Sequence, residues 1–185
     1  MTLLGNHILR ATEAPSVCYT EWAGAIEHRT LMQASSPSPG VLVVDDDPGV
    51  AFVVTHVLAR YQEFGAVESA STAQAGLARL EACATSSPGS PSPPAIVMLD
   101  LAMPRMNGFA FLDQFAALRV HDELAPIAVV ILSTSHREQD RARAMRFEFV
   151  HDYIPKPFGE QHVPVLRRLL PPPIASCHAT GRVPN

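Results

Sequence analysis

The sequence predicts a doubly wound α/β domain, with five parallel strands in the order 2-1-3-4-5 and helices on both faces. Three observations carry that prediction. Apolar runs alternate with helix-period segments five times across residues 40–170, and such alternation implies parallel strands joined by right-handed crossovers. The runs Val41-Leu42-Val43-Val44, Ala95-Ile96-Val97-Met98-Leu99 and Ile127-Ala128-Val129-Val130-Ile131-Leu132 contain no polar residue, as expected of strands buried on both faces. Each of the five expected strands except the weak second one, over residues 66–69, ends in a polar group: Asp45 with Asp46, then Asp100, then Ser133 with Thr134, then Lys156. Open α/β sheets bind ligands at the carboxyl ends of their strands, and in this order the four contributing strands are neighbours.

Residues 1–39 lack sustained periodicity and end in Ser35-Ser36-Pro37-Ser38-Pro39. They read as a disordered extension and linker, with a short helix over residues 19–32 the one element suggested there. After the first strand, Asp47 before Pro48 fits an N-cap followed by proline at the first helical position, and Val50, Val54, Val57 and Tyr61 then recur at helical spacing. Residues 66–69 make a weaker strand, expected at an edge. Ser71-Thr72-Ala73-Gln74 has the form of a capping box, opening a helix with Ala73, Leu77 and Leu80 turned inward. Residues 82–94 are rich in Ser and Pro and read as a flexible loop insertion.

Beyond the strand that ends at Asp100, Phe111, Phe115 and Leu118 mark the buried stripe of a third helix. Ser135-His136-Arg137-Glu138 reads as a capping box for a fourth helix, carrying Arg137, Arg141, Arg143 and Arg146. Tyr153-Ile154 reads as a brief fifth strand. A last helix is expected over residues 161–170, with Pro164 tolerable only near its first turn. Pro171-Pro172-Pro173 ends it, and residues 171–185 read as a disordered tail.

Composition narrows the function classes. The 185 residues suffice for one domain with a full core and tails. A formal charge of −4 argues against a nucleic-acid surface, which shows as a basic excess. Cys18, Cys83 and Cys177 are odd in number and at no metal or redox spacing, so reduced thiols in a cytoplasmic protein are expected. No run approaches the length of a membrane span, and the N-terminus shows no export signal.

The chemistry is expected at the strand ends. Three carboxylates crowded on one rim repel by roughly 4 kcal/mol per pair at about 4 Å and an effective dielectric near 20, so the cluster calls for a cation. Oxygen-only ligands with room for water suit Mg²⁺. A carboxylate beside that ion, a hydroxyl and a lysine form an apparatus for accepting a phosphoryl group. Asp100 would attack, Lys156 would neutralise the equatorial oxygens, and Ser133 would hydrogen-bond one of them.

These residues resemble the receiver domains of two-component response regulators across about residues 40–170. The matching pieces are Val41-Leu42-Val43-Val44-Asp45-Asp46-Asp47-Pro48, Leu99-Asp100-Leu101-Ala102-Met103-Pro104 with Asn107-Gly108, Leu132-Ser133-Thr134, and Asp152-Tyr153-Ile154-Pro155-Lys156-Pro157-Phe158. The resemblance implies the flavodoxin-like, CheY-like form of the fold. It implies Asp100 as phosphoacceptor, with Asp45, Asp46, Asp100 and the Ala102 carbonyl holding Mg²⁺. Ser133 and Tyr153 are implied as the switch pair, and Lys156 as the phosphoryl contact, often across a cis Lys-Pro bond. Ala102 takes a position often polar in the family and Asn107 replaces a common Asp before Gly108, while Ala102 and Ser135 both lie where the family tunes hydrolysis of the phosphoaspartate. The run Ser133-Thr134-Ser135 is also similar to small regulators paired with bacteriophytochrome kinases.

No helix-turn-helix or effector region is read after residue 171, so the expectation is a stand-alone receiver. It would take phosphate from a histidine kinase or phosphotransfer protein and act on a protein target through its fourth helix, fifth strand and fifth helix. Homodimerisation is left open. Two rivals remain. Asp45-x-Asp47 after an apolar strand looks like the nucleophile motif of haloacid-dehalogenase-type phosphatases, although that family wants an acidic pair after the lysine and gives Asp100 no role. The other rival is a pseudo-receiver with the fold and no phosphorylation.

Overall fold

The computed structural model describes residues 38–84, 90–135 and 137–172. The expected extension, its helix over residues 19–32 and most of the tail lie outside them, as do residues 85–89 of the insertion. The elements run β1 (Val41–Val44), α1 (Pro48–Leu58), β2 (Val67–Ala70), α2 (Ala73–Glu81), β3 (Ile96–Leu99), α3 (Gly108–Leu118), β4 (Ala128–Ser133), α4 (Glu138–Ala144), β5 (Val150–Pro155), a 3₁₀ turn (Glu160–His162) and α5 (Val163–Leu169). All strand pairs are parallel, and the sheet order is β2-β1-β3-β4-β5.

The two-residue period of the strands sorts the core into two layers. Leu42, Val44, Val97, Leu99, Val129 and Ile131 pack with α2, α3 and Ala144 of α4. Val41, Val43, Ile96, Met98, Val130 and Leu132 pack with α1 and α5. The three central strands are buried at every position, which is why their sequences show no alternation.

Local signals decide most element ends. Asp47 caps α1, its Oδ1 accepting from the Gly49 amide at 2.8 Å with Pro48 at the first turn. The cap of α2 is Thr72 instead of Ser71: its hydroxyl accepts from the Ala75 amide at 3.1 Å. The capping box at α4 does not form. Arg137 stands at the cap without a side-chain bond, and the Ser135 hydroxyl donates to Asp140. Arg137 and Arg146 therefore flank α4 and do not lie within it. Strand β5 is longer than the Tyr153-Ile154 core suggests, because on an edge strand the exposed His151 and half-buried Asp152 belong to the same ladder.

The described part of the insertion is anchored. Arg79 of α2 forms a two-point ion pair with Glu68 on edge strand β2, and its guanidinium also donates to the Ser92 carbonyl at 3.1 Å and to the Cys83 sulfur. One side chain thus ties β2, α2 and the loop before β3 together. Cys83 is buried there, and desolvation pushes its thiol pKa up, so it is a packed, protonated thiol.

Candidate functional site

In register, Val44 lies beside Leu99 and Leu99 beside Ile131, so Asp45 and Asp100 leave the sheet side by side at its carboxyl edge. Asp45 is held by its own loop, with Oδ1 accepting from the Asp47 amide at 3.0 Å. The Asp100 amide donates to the Val44 carbonyl at 2.9 Å. One ligand oxygen from each of Asp45, Asp46 and Asp100 falls within 4.8 Å of the others. Asp45 and Asp100 are buried and Asp46 is exposed, so the cluster opens toward solvent on one side.

Lys156 enters from the end of β5. Its amide donates to the Ser133 carbonyl at 3.0 Å, and the peptide bond to Pro157 is cis. Its ammonium lies 2.7 Å from Asp45 Oδ2 and 3.1 Å from Asp100 Oδ2. The first contact is an ion pair outside hydrogen-bond geometry, and Asp100 Oδ1 has no hydrogen-bond partner. One ammonium thus contacts two of three carboxylates, which at up to 4.8 Å apart repel one another by about 3.5 kcal/mol or more per pair at a dielectric near 20. The titration directions agree. Desolvation raises the Asp45 pKa against the opposing pull of Lys156, while for Lys156 the attraction of both acids overcomes desolvation and raises its pKa.

Excess negative charge and buried, under-bonded oxygens are the properties of a hard-cation site, and this donor set fits a divalent ion with several retained waters. Because a bound cation requires Asp45 ionised, its affinity falls as pH drops through the raised Asp45 pKa. Calorimetric Mg²⁺ titrations across that range are expected to show proton release on binding. Affinity independent of pH down to the ordinary carboxylate range would contradict this.

The loop after Asp100 is shaped for close approach. Arg105 takes a left-handed φ of 68°, and Asn107 caps α3 by accepting from the Ala110 amide at 2.9 Å. A Cβ on Gly108 would fall 2.4 Å from the Asp100 carbonyl oxygen and 2.8 Å from the Leu101 Cα. Gly108→Ala is therefore expected to move the Asp100 backbone and weaken Mg²⁺ binding by about tenfold or more, since the clash is with main chain and cannot be relieved by a rotamer change. Titration by calorimetry checks it, and unchanged affinity would show that the loop yields.

Ser133 is fully buried at the end of β4, and its Oγ accepts from the Ser135 amide at 3.1 Å. Tyr153 is also inside, its hydroxyl donating to the Ser135 carbonyl at 2.8 Å. Asp45, Asp46, Asp100 and Lys156 thus meet at the carboxyl edge of the sheet, and Ser133 at the end of β4 is joined to Tyr153 through Ser135. Asp47 is engaged as the helix cap, its Oδ1 accepting from the Gly49 amide. Asp140, the partner of Ser135, was not singled out. Its only trace in the sequence is an acid five residues after a serine.

The comparisons with known proteins follow the same line. The model of the response regulator receiver domain family matches residues 41–166. The DNA-binding transcriptional regulator NtrC of Escherichia coli K12 is 33% identical over 118 residues, 64% of this chain and 22% of its own length. The chain thus corresponds to under a quarter of that relative. A two-component response regulator from Cytophaga hutchinsonii superposes with a TM-score of 0.62 at 25% identity, covering 72% of this chain and 96% of the other. The bacteriophytochrome response regulator AtBRR superposes at 0.57 with 24% identity, covering 73% and 94%, which is likeness of fold. No helix among the described residues is long and apolar enough to cross a membrane. With its sheet order, its acidic edge and the matched residues in agreement, this chain belongs to the response regulator receiver domain family.

Proposed function

We propose that this domain accepts a phosphoryl group on Asp100 from a histidine kinase or phosphotransfer protein in a Mg²⁺-dependent reaction, and signals through protein contacts. The observation that carries this reading is the grouping of the Asp45, Asp46 and Asp100 carboxylates, with the Lys156 ammonium against Asp45 and Asp100. Asp100 acts as nucleophile: one carboxylate oxygen bonds to phosphorus as the bond to the donor nitrogen breaks. Lys156 offsets charge on the phosphoryl oxygens, and Ser133, whose Oγ accepts from Ser135, keeps its own proton free to donate to one of them. Mg²⁺, held by Asp45, Asp46, Asp100 and the Ala102 carbonyl, would supply further charge neutralisation there.

The donor protein approaches over the exposed acid Asp46 and beside α1, where Phe52 is 72% exposed and stacks on His56. Large exposed aromatics of this kind serve as interface anchors. We assign the downstream partner to the face of α4, β5 and α5; between α4 and β5 a cavity of about 190 Å³ is lined by Arg137, Glu138, Arg141 and Tyr153 among others. Phosphorylation would shift an existing equilibrium through Ser133 and Tyr153. Tyr153 already lies inward, so the shift is expected to strengthen an arrangement the fold can adopt unaided.

Beryllofluoride, a stand-in for the phosphoryl group, tests the reading. Binding of one equivalent only when Mg²⁺ is present is expected. Failure to bind would favour the pseudo-receiver. Ser133→Ala is expected to slow phosphate uptake from acetyl phosphate by about tenfold, the scale of losing one donor to a charged oxygen. Uptake at the parent rate, with signalling intact, would remove Ser133 from the mechanism.

A further inference from the structure

Ser135 is the junction of four hydrogen bonds. Its amide donates to Ser133 Oγ at 3.1 Å, its carbonyl accepts from the Tyr153 hydroxyl at 2.8 Å, and its own hydroxyl donates to Asp140 Oδ2 at 2.8 Å. That hydroxyl also accepts from the Arg137 amide at 3.3 Å. Both the Ser135 and Asp140 side chains are half-buried. A serine hydroxyl has one proton, so donation to Asp140 fixes the Ser135 rotamer and, with it, the main chain that meets Ser133 and Tyr153. A bond to an ionised acceptor is among the stronger ones available to a loop.

We propose that Asp140 is a positioning residue of the phosphoryl site. It touches neither the acids nor the phosphoryl group; it holds Ser135 so that the Ser133 hydroxyl keeps its proton aimed away from its own loop, and so that Tyr153 is tied to the same carbonyl. The inference rests on the phosphoacceptor reading. It extends that reading outward, to a side chain on α4 that sets how well Ser133 is prepared before the group arrives. Movement of α4 by a docking partner would be felt at Ser133 through the same bond.

The measurement is beryllofluoride affinity, followed by ¹⁹F NMR, beside Mg²⁺ affinity measured alone. Asp140→Ala is expected to weaken beryllofluoride binding by about fivefold, a typical coupling for a residue one contact removed from a site, while Mg²⁺ affinity stays at the parent value because Asp45, Asp46 and Asp100 are untouched. The unchanged Mg²⁺ affinity also shows that the variant is folded. Asp140→Asn keeps an acceptor oxygen and is expected to restore most of the loss. Ser135→Ala should match Asp140→Ala, and the double variant should be no weaker than either single one, since both act through one bond. Parent-like binding by Asp140→Ala, equal losses in Asp140→Ala and Asp140→Asn, or additive losses in the double variant would each overturn the inference while leaving the phosphoacceptor reading intact. If the parent protein bound no beryllofluoride with Mg²⁺, that reading would fall first and take Asp140's role with it.

Discussion

An Asp100→Asn variant is expected to take up no phosphate from acetyl phosphate and to lose most of its Mg²⁺ affinity. The carboxylate is the proposed nucleophile, and an amide oxygen neither attacks phosphorus at a useful rate nor carries the charge that a hard cation needs. The fold should persist and its thermal stability in the absence of Mg²⁺ should hold or rise, because one member of a like-charged, buried cluster becomes neutral while Lys156 retains Asp45 as its partner. Intact mass after exposure to acetyl phosphate, with calorimetric Mg²⁺ titration, reads both effects. The same variant separates the phosphatase rival: an enzyme using Asp45 as nucleophile would keep its turnover, whereas a receiver loses all uptake.

Lys156→Met produces the second large effect, in two parts. Among the described residues Lys156 is the cation paired with the two buried carboxylates, at 2.7 and 3.1 Å, and its side chain is only 13% exposed. Removing it leaves uncompensated buried charge, which costs about 3 kcal/mol at neutral pH in the absence of metal. That corresponds to a fall in Tm of roughly 6–12 °C for a domain of this size. Acidification relieves the cost, since the Asp45 pKa is already raised by desolvation and the acid is readily protonated. Saturating Mg²⁺ recovers part of the stability by mass action. Phosphate uptake, in contrast, is expected to stay about a hundredfold slow even with Mg²⁺, because the charge that Lys156 is proposed to bring to the phosphoryl oxygens would be missing. Thermal melts with and without Mg²⁺ check the first part and uptake kinetics the second. A variant as stable as the parent without Mg²⁺ would mean that the ammonium does not balance these acids.

How much of this was readable beforehand depended on the range of the interaction. Three apolar runs gave the central strands because burial on both faces leaves a local mark, and Asp47-Pro48 gave the start of α1 because cap and first turn are neighbours in sequence. Where two capping residues stand together, as at Ser71 and Thr72, the sequence could not rank them; the backbone turn decided for Thr72. Strand β5 was read short because His151 and Asp152 look like loop residues until the edge position is known. The site residues were legible as types at strand ends. Their balance was not: that one ammonium spans Asp45 and Asp100, leaving an oxygen of Asp100 unbonded, follows from side chains 56 to 111 positions from Lys156 in the chain. The Ser135–Asp140 bond escaped for a different reason. The same serine fits a capping box with Glu138, and only the geometry of the loop shows which acid it meets.

The most direct test is to treat the purified protein with acetyl phosphate, with and without Mg²⁺, and map the acquired phosphate by peptide mass spectrometry after borohydride trapping. The account predicts one modified residue, Asp100, and no modification once the divalent ion is chelated. Phosphate found on Asp45 or on any other side chain, or uptake indifferent to chelation, would contradict it.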